Sequence, residues 1–149
     1  MTRFEIVNPE ALGRPRGFSH GILAPAGGRV LFIAGQTAPD AGHAEADRTG
    51  AEGRLVEQFG AALDRVVAVV SDAGGRPEHV ARLTVYVTDM DAYRGARGRL
   101  GDVWRAAMGR HYPAMALVEV RSLVDPAAVI EIEATAVLPP GPEPAGAAG

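Results

Sequence analysis

A chain of 149 residues with 15 basic and 18 acidic side chains, a formal charge of −3 and no cysteine fits one domain with a real core. It is small, however, for an enzyme that holds its whole active site within one subunit. The acidic balance disfavours nucleic acid and anionic membranes as partners, and the lack of cysteine excludes disulfides, thiolate catalysis and cysteine-ligated metals.

All 15 basic residues are arginine, so Schiff-base chemistry on a lysine and lysine-anchored pyridoxal phosphate are excluded as well. The first residues, MTRFEIVNPE, lack the apolar run of a signal peptide. No window reaches the roughly 18 apolar residues of a membrane span. A cytoplasmic location is the expectation.

In chain order, FEIV (4–7) reads as a short strand and NPEALGRPRG (8–17) as a loop. FSHGILA (18–24) and VLFIAG (30–35), joined by PAGGR (25–29), predict a β-hairpin turning at Gly27 and Gly28. QTAPDAGHAEADRTG (36–50) reads as a long loop. From about Ala51, Leu55, Phe59, Ala62, Val66, Val70 and Ala73 recur at helical spacing until Gly74 and Gly75 end the segment. HVARLTVYVTD (79–89) alternates as a strand, with Leu83, Val85 and Val87 on one side and Arg82, Thr84, Tyr86 and Thr88 on the other.

A second helix is expected with Asp91 as N-cap, turning Tyr93, Leu100, Val103, Trp104 and Met108 inward and ending near Gly109. MALVEVR (115–121) and VIEIEATAVL (129–138) predict two neighbouring strands across a loop containing Asp125 and Pro126. One domain over 1–138 and a disordered tail, PPGPEPAGAAG (139–149), complete the reading.

Two helices can cover only one face of one sheet, which makes this an α+β two-layer sandwich. The side of the last strand carrying Ile130, Ile132, Ala134 and Ala136 is expected to face them. The opposite side would mix Glu131, Glu133, Glu119, Arg121, Tyr86 and Thr84 with Val129, Val137, Leu117 and Met115. Such a surface suits a subunit interface with a pocket in it, although Glu119, Arg121 and Glu133 have structural ion pairing as the plainer expectation.

No GxGxxG, P-loop, GxSxG, HExxH or EF-hand pattern is present. The histidines at 20, 43, 79 and 111 lack ligand spacing, so a metal site is not expected. The arginines at 94, 97, 99, 105 and 110 read as a solvated helix face rather than an RNA patch. Ser19, Ser71 and Ser122 sit on no nucleophile elbow.

Five strings nevertheless occur in an order and spacing that resemble the RidA family, also called YjgF or the reactive-intermediate deaminases. They are NPEALGRPRGFSHG, LFIAGQTAPD (31–40), DAGGRPEHVARLTVYVTDMDAY (72–93), YPAMALVEV (112–120) and IEIEATAV (130–137). The resemblance spans about residues 5 to 138. It implies a chorismate-mutase-like fold with one mixed sheet, assembled as a homotrimer with pockets between subunits. Typical members hydrolyse enamines and imines to a keto acid and ammonia without a cofactor.

That reaction asks for a cation to hold the substrate carboxylate, a proton carrier and a backbone-lined water site. In the deaminases the cation is an arginine in a string like PARS; here the string is Pro113-Ala114-Met115-Ala116. A family tyrosine is replaced by Phe18 and a serine before Gly35 by Ala34, whereas Glu131 matches the acid that positions the hydrolytic water. A methionine offers dispersion and a weak sulfur acceptor where an arginine would make a bidentate contact.

The resemblance therefore implies an apolar pocket lined by Phe18, Ala34, Gly35, Met115 and Leu117, with Glu131 as acid-base residue. Strand alternation puts His20, two residues after Phe18, on the same face as a second acid-base candidate, with an exposed or satisfied histidine as the equal alternative. The expected activity is water addition, deamination or tautomerisation of a larger, less acidic enamine, imine or enol-like metabolite, with 2-iminopropionate and similar imino acids not efficiently hydrolysed. A non-catalytic trimer binding an apolar ligand or client protein is the alternative. Endoribonuclease activity, attached to some members, fits poorly with an acidic, lysine-free chain.

Overall fold

A computed structural model of the chain describes residues 3–41 and 43–142, apart from the side chains of 43–49. Most of the expected tail, from residue 143 on, lies outside the described residues. Strands β1 (Glu5–Val7), β2 (Gly21–Leu23) and β3 (Arg29–Gln36) precede helix α1 (His43–Asp72), strand β4 (Val80–Val87) and helix α2 (Met90–Met108). Strands β5 (Ala114–Glu119) and β6 (Ile130–Leu138) follow. This is a mixed α+β architecture, with a four-stranded sheet in the order β3-β6-β4-β5 and a separate two-stranded ribbon β1-β2.

The apolar stripes identified in the sequence build the core. Leu63, Val66 and Val70 of α1 and Ala96, Leu100 and Trp104 of α2 pack on Leu83, Val85 and Val87 of β4 and Ile130 and Ile132 of β6. Both helices thus cover the isoleucine side of the sheet, as the alternation of β6 requires. The other side is open, leaving Phe32 82% and Val30 56% exposed.

Four local expectations are corrected. The first is the hairpin of 18–24 with 30–35: β2 pairs with β1, and β3 pairs with β6. The reason is an anchor at the opposite sheet edge. Ser19 bridges Ala114, its N–H donates to the Pro113 carbonyl (3.0 Å) and its hydroxyl donates to the Tyr112 carbonyl (2.6 Å). The second is the long loop, part of which is helical: α1 begins at His43 and breaks at Gly50, whose φ of 71° suits glycine.

The third is the N-cap of α2, which is Asp89, accepting from the Ala92 N–H at 2.9 Å. The Glu119 carboxylate accepts from the Met90 N–H (2.9 Å) at the same helix end, so Glu119 serves as a cap and not as an ion-pair partner.

The fourth concerns β5, which does not neighbour β6. It lies at the far edge, parallel to β4, with Met115 beside Leu83 and Leu117 beside Val85. Paired residues share a face, so Met115, Leu117 and Glu119 belong to the helix side rather than to the open side with Glu131.

Gln58 of α1 is fully buried and every polar atom of its amide is used. It accepts from the Val129 N–H (2.9 Å) and donates to the carbonyls of Ala127 (3.1 Å) and Pro39 (3.4 Å). The clamp fixes the entry into β6 two residues before Glu131.

Candidate functional site

The expected site residues form two groups, one on each side of the sheet. On the helix side a cleft of about 520 Å³ opens between β5, α2 and residues 16–18. Phe18 reaches it because the Ser19 anchor holds the segment beside β5, and Met115 and Leu117 reach it through the parallel register with β4. Trp104 donates its indole N–H to the His111 carbonyl (3.1 Å) and stacks on Tyr112, with centroids 6.2 Å apart and planes 6° from parallel. These two rings form a fixed aromatic wall of the cleft.

Polar groups enter from α2, where Tyr93, Arg97, Gly101 and Arg105 recur every four residues along the cleft. Arg16 enters from the loop opposite. Of the arginines first read as a solvated face, Arg94 pairs with Asp91, Arg99 with Glu52 and Arg105 with Asp102. Arg97 and Arg16 have no ionic or hydrogen-bonding partner among the described residues. The cleft is therefore apolar at Met115 but cationic at its α2 edge. The missed signal was the four-residue spacing of Tyr93, Arg97, Gly101 and Arg105, next to the apolar stripe of Leu100 and Trp104.

On the open side, Glu131 lies beside Tyr86 and Glu133 beside Thr84 in the β4–β6 register. The β3–β6 register shifts between Ile33 and Gln36, so Ala34 and Gly35 together oppose Glu133 as a bulge. That bulge brings the Gly35 backbone against the Glu131 side chain. A Cβ added at Gly35 would meet the carboxylate, standing 2.8 Å from its Cδ and 3.0 Å from its Cγ. Ala34 and Gly35 are exposed, and Glu131 is half-buried.

Tyr86 donates its hydroxyl to Glu133 at 2.9 Å, a bond that holds the Tyr86 phenol above its usual pKa, aided by partial desolvation and the charge of Glu133. Glu133 is thereby held through a hydrogen bond, in place of the expected ion pair. Glu131 stands beside it without that phenolic partner.

His20 lies behind Phe18, outside the cleft lining and away from Glu131. Its N–H donates to the Asn8 side chain (2.8 Å), its Nε2 lies 3.3 Å from the Gly13 carbonyl, and its ring meets the edge of Phe18 at 5.3 Å. The contact with Phe18 follows the expected spacing, but His20 is not part of the cleft lining. His111 ties α2 to β4 through Nε2, 2.6 Å from the Val80 carbonyl. Among the described residues no cluster of three or more His, Cys, Asp or Glu can hold a metal, and no helix is long and apolar enough to cross a membrane.

The family model described as endoribonuclease L-PSP matches residues 9–138. The chain belongs to the RidA/YjgF family. A RutC family protein of Pyrococcus horikoshii is 32% identical over 135 residues, covering 89% of this chain and 96% of the relative.

Among solved structures, the Rid-family protein YyfB of Yersinia pestis matches with a TM-score of 0.72 and 32% identity, over 91% of this chain and 99% of that one. The YjgF gene product of Escherichia coli matches with a TM-score of 0.57 and 27% identity, over 87% and 92% respectively. Membership gives the strings around Phe18, Ala34-Gly35, Met115 and Glu131 a common frame. The division of those residues between the two faces of the sheet is a property of this chain's own registers.

Proposed function

We propose that this chain is a cofactor-free enzyme acting on an imine, enamine or enol-like metabolite at clefts completed between the subunits of a homotrimer. The observation that carries the reading is the Glu131 carboxylate seated against the exposed Gly35 backbone, next to an uncovered apolar sheet face. The helix-side cleft of one subunit and the Glu131 face of another would then make the two halves of one site. Exposed Phe32 and Val30 are the residues such an assembly would bury. Sedimentation at three times the chain mass is the expected result, and a monomer at micromolar concentration would count against the shared site.

In the proposed reaction Glu131 takes a proton from water as its oxygen bonds to the imine carbon. With the imine nitrogen protonated this gives a neutral carbinolamine. Glu131 returns its proton to nitrogen, the C–N bond breaks as the hydroxyl proton passes back to Glu131, and the departing ammonia carries that proton away, so that iminium plus water gives ketone plus ammonium. An enamine first gains a proton at carbon and reacts as the imine. Met115 offers no charge for the carboxylate of the smallest imino acids at the family's usual position, which favours a bulkier substrate held by dispersion.

Imines generated in place by an amino-acid oxidase test this reading. The chain is expected to accelerate hydrolysis of a phenylalanine-derived imine at least about tenfold more than that of 2-iminopropionate, each measured over buffer. That ratio corresponds to about 1.4 kcal/mol of transition-state discrimination. Rapid hydrolysis of 2-iminopropionate would refute the substrate reading. Ligand binding without acceleration of any imine would leave the non-catalytic trimer.

A further inference from the structure

We infer that Arg97, assisted by Arg16, is an anion-binding subsite in the helix-side cleft, and that the ligand of this cleft is a carboxylate with a bulky apolar or aromatic tail. The inference deepens the proposed function by naming the ligand class of the same cleft. It rests on three observations independent of catalysis.

The first is charge accounting. Three arginines line the cleft, and Arg105 is already engaged by Asp102. Arg97 and Arg16 have no hydrogen-bonding or ionic partner among the described residues, so two residues lining one cleft carry guanidinium groups whose donors are unused. Unpaired arginines at a cleft edge are suited to a planar anion, which a guanidinium binds through two parallel hydrogen bonds.

The second observation is spacing. Arg97 and Arg105 are eight residues apart on one face of α2, with Gly101 midway. A Cβ at Gly101 would meet only the Arg105 side chain, at 3.6 Å, so the gap between the two arginine positions is open. A ligand head group can approach the helix there without displacing a side chain.

The third is the opposite wall. Met115 and Leu117 stand on the strand side, with Phe18 and the stacked Trp104–Tyr112 pair beside them. None of these offers a charge, and the aromatic faces suit a ring or branched chain. The anion anchor has thus moved from the strand, where Met115 stands, to the helix. A ligand that uses both walls carries an anion at one end and an apolar tail at the other.

Trp104 is the chain's one tryptophan and lines the cleft, so its fluorescence reports occupancy directly. The full chain is titrated with 3-phenylpropionate, with its neutral amide and with propionate. 3-Phenylpropionate is expected to bind at least about tenfold more tightly than either, the difference a charge-assisted contact makes, and to weaken as salt rises. Arg97→Gln is expected to remove the preference for acid over amide while leaving amide affinity unchanged, and Arg97→Lys to restore part of it.

Arg97 is exposed and unpaired, so loss of the fold is not at stake, and Arg16→Gln provides a second variant. Equal affinity for acid and amide, or an acid preference that survives both Arg97→Gln and Arg16→Gln, would overturn the inference. Because binding is read without turnover, carboxylate-selective binding by a chain that hydrolyses no imine would sustain this subsite while refuting the proposed enzyme. Imine hydrolysis that is indifferent to Arg97 would do the reverse.

Discussion

Glu131→Gln and Ile132→Ala, substitutions at adjacent positions, are expected to fail in opposite ways. Ile132 points into the helix layer with no exposed surface, on a strand paired on both sides. Truncating it removes buried methylenes and leaves a cavity that the close-packed sheet cannot collapse, at a cost of about 2 to 5 kcal/mol. Against a total stability of roughly 5 to 15 kcal/mol, that shift is plain in urea unfolding. Glu131 points the other way, and its carboxylate has no hydrogen-bonding or ionic partner among the described residues.

Glu131→Gln keeps shape and size, so unfolding should move by less than about 0.5 kcal/mol. Imine hydrolysis, by contrast, should fall by about 100-fold or more once the proton acceptor is lost, while ligand still perturbs Trp104. Turnover that survives Glu131→Gln would remove the proposed role of Glu131. A large loss of stability in the same variant would mean that this side chain serves the fold.

The same pair shows what a single sequence exposes. Period-two alternation along 129–138 assigns Ile132 and Glu131 to opposite faces without any knowledge of neighbours, and helical spacing through Leu55, Phe59 and Val66 does the same for α1. Met115 was misplaced because alternation fixes only which residues of β5 share a side. Which side faces the helices depends on β5 joining β4 in parallel at the sheet edge, a pairing 32 residues distant in sequence that leaves no local mark. The false hairpin has the same origin. Its turn chemistry is real, but Ser19's bridge to Ala114 carries β2 to the other edge.

Arg97 was legible only as an exposed helical residue. Its role as cleft edge needs β5 and residues 16–18 to be placed opposite. Gln58, a polar residue inside an apolar stripe, carried no hint that three backbone groups on two other segments wait for it.

Gly35→Ala is the most discriminating test of the Glu131 face. The position does not need a positive φ, so alanine is tolerated by the backbone, and Gly35 is exposed, so the added methyl displaces no core. What it meets is the Glu131 side chain, with Cδ at 2.8 Å and Cγ at 3.0 Å. The end of a glutamate swings away at small energetic cost, so unfolding should shift by no more than about 1 kcal/mol.

The carboxylate cannot return to the bulge, however, and a displacement of about 1 Å is enough to cost roughly 100-fold in turnover when a group must be aligned with water and substrate. The expected result is an enzyme with near-normal stability, intact carboxylate binding at Arg97 and a Glu131-like loss of rate. Adding Glu131→Gln to Gly35→Ala should then change little further, because both act on one group. Full turnover in Gly35→Ala would show that the close approach of glycine and carboxylate has no part in the chemistry. Multiplied losses in the double variant would show that Gly35 acts through the sheet edge rather than through Glu131.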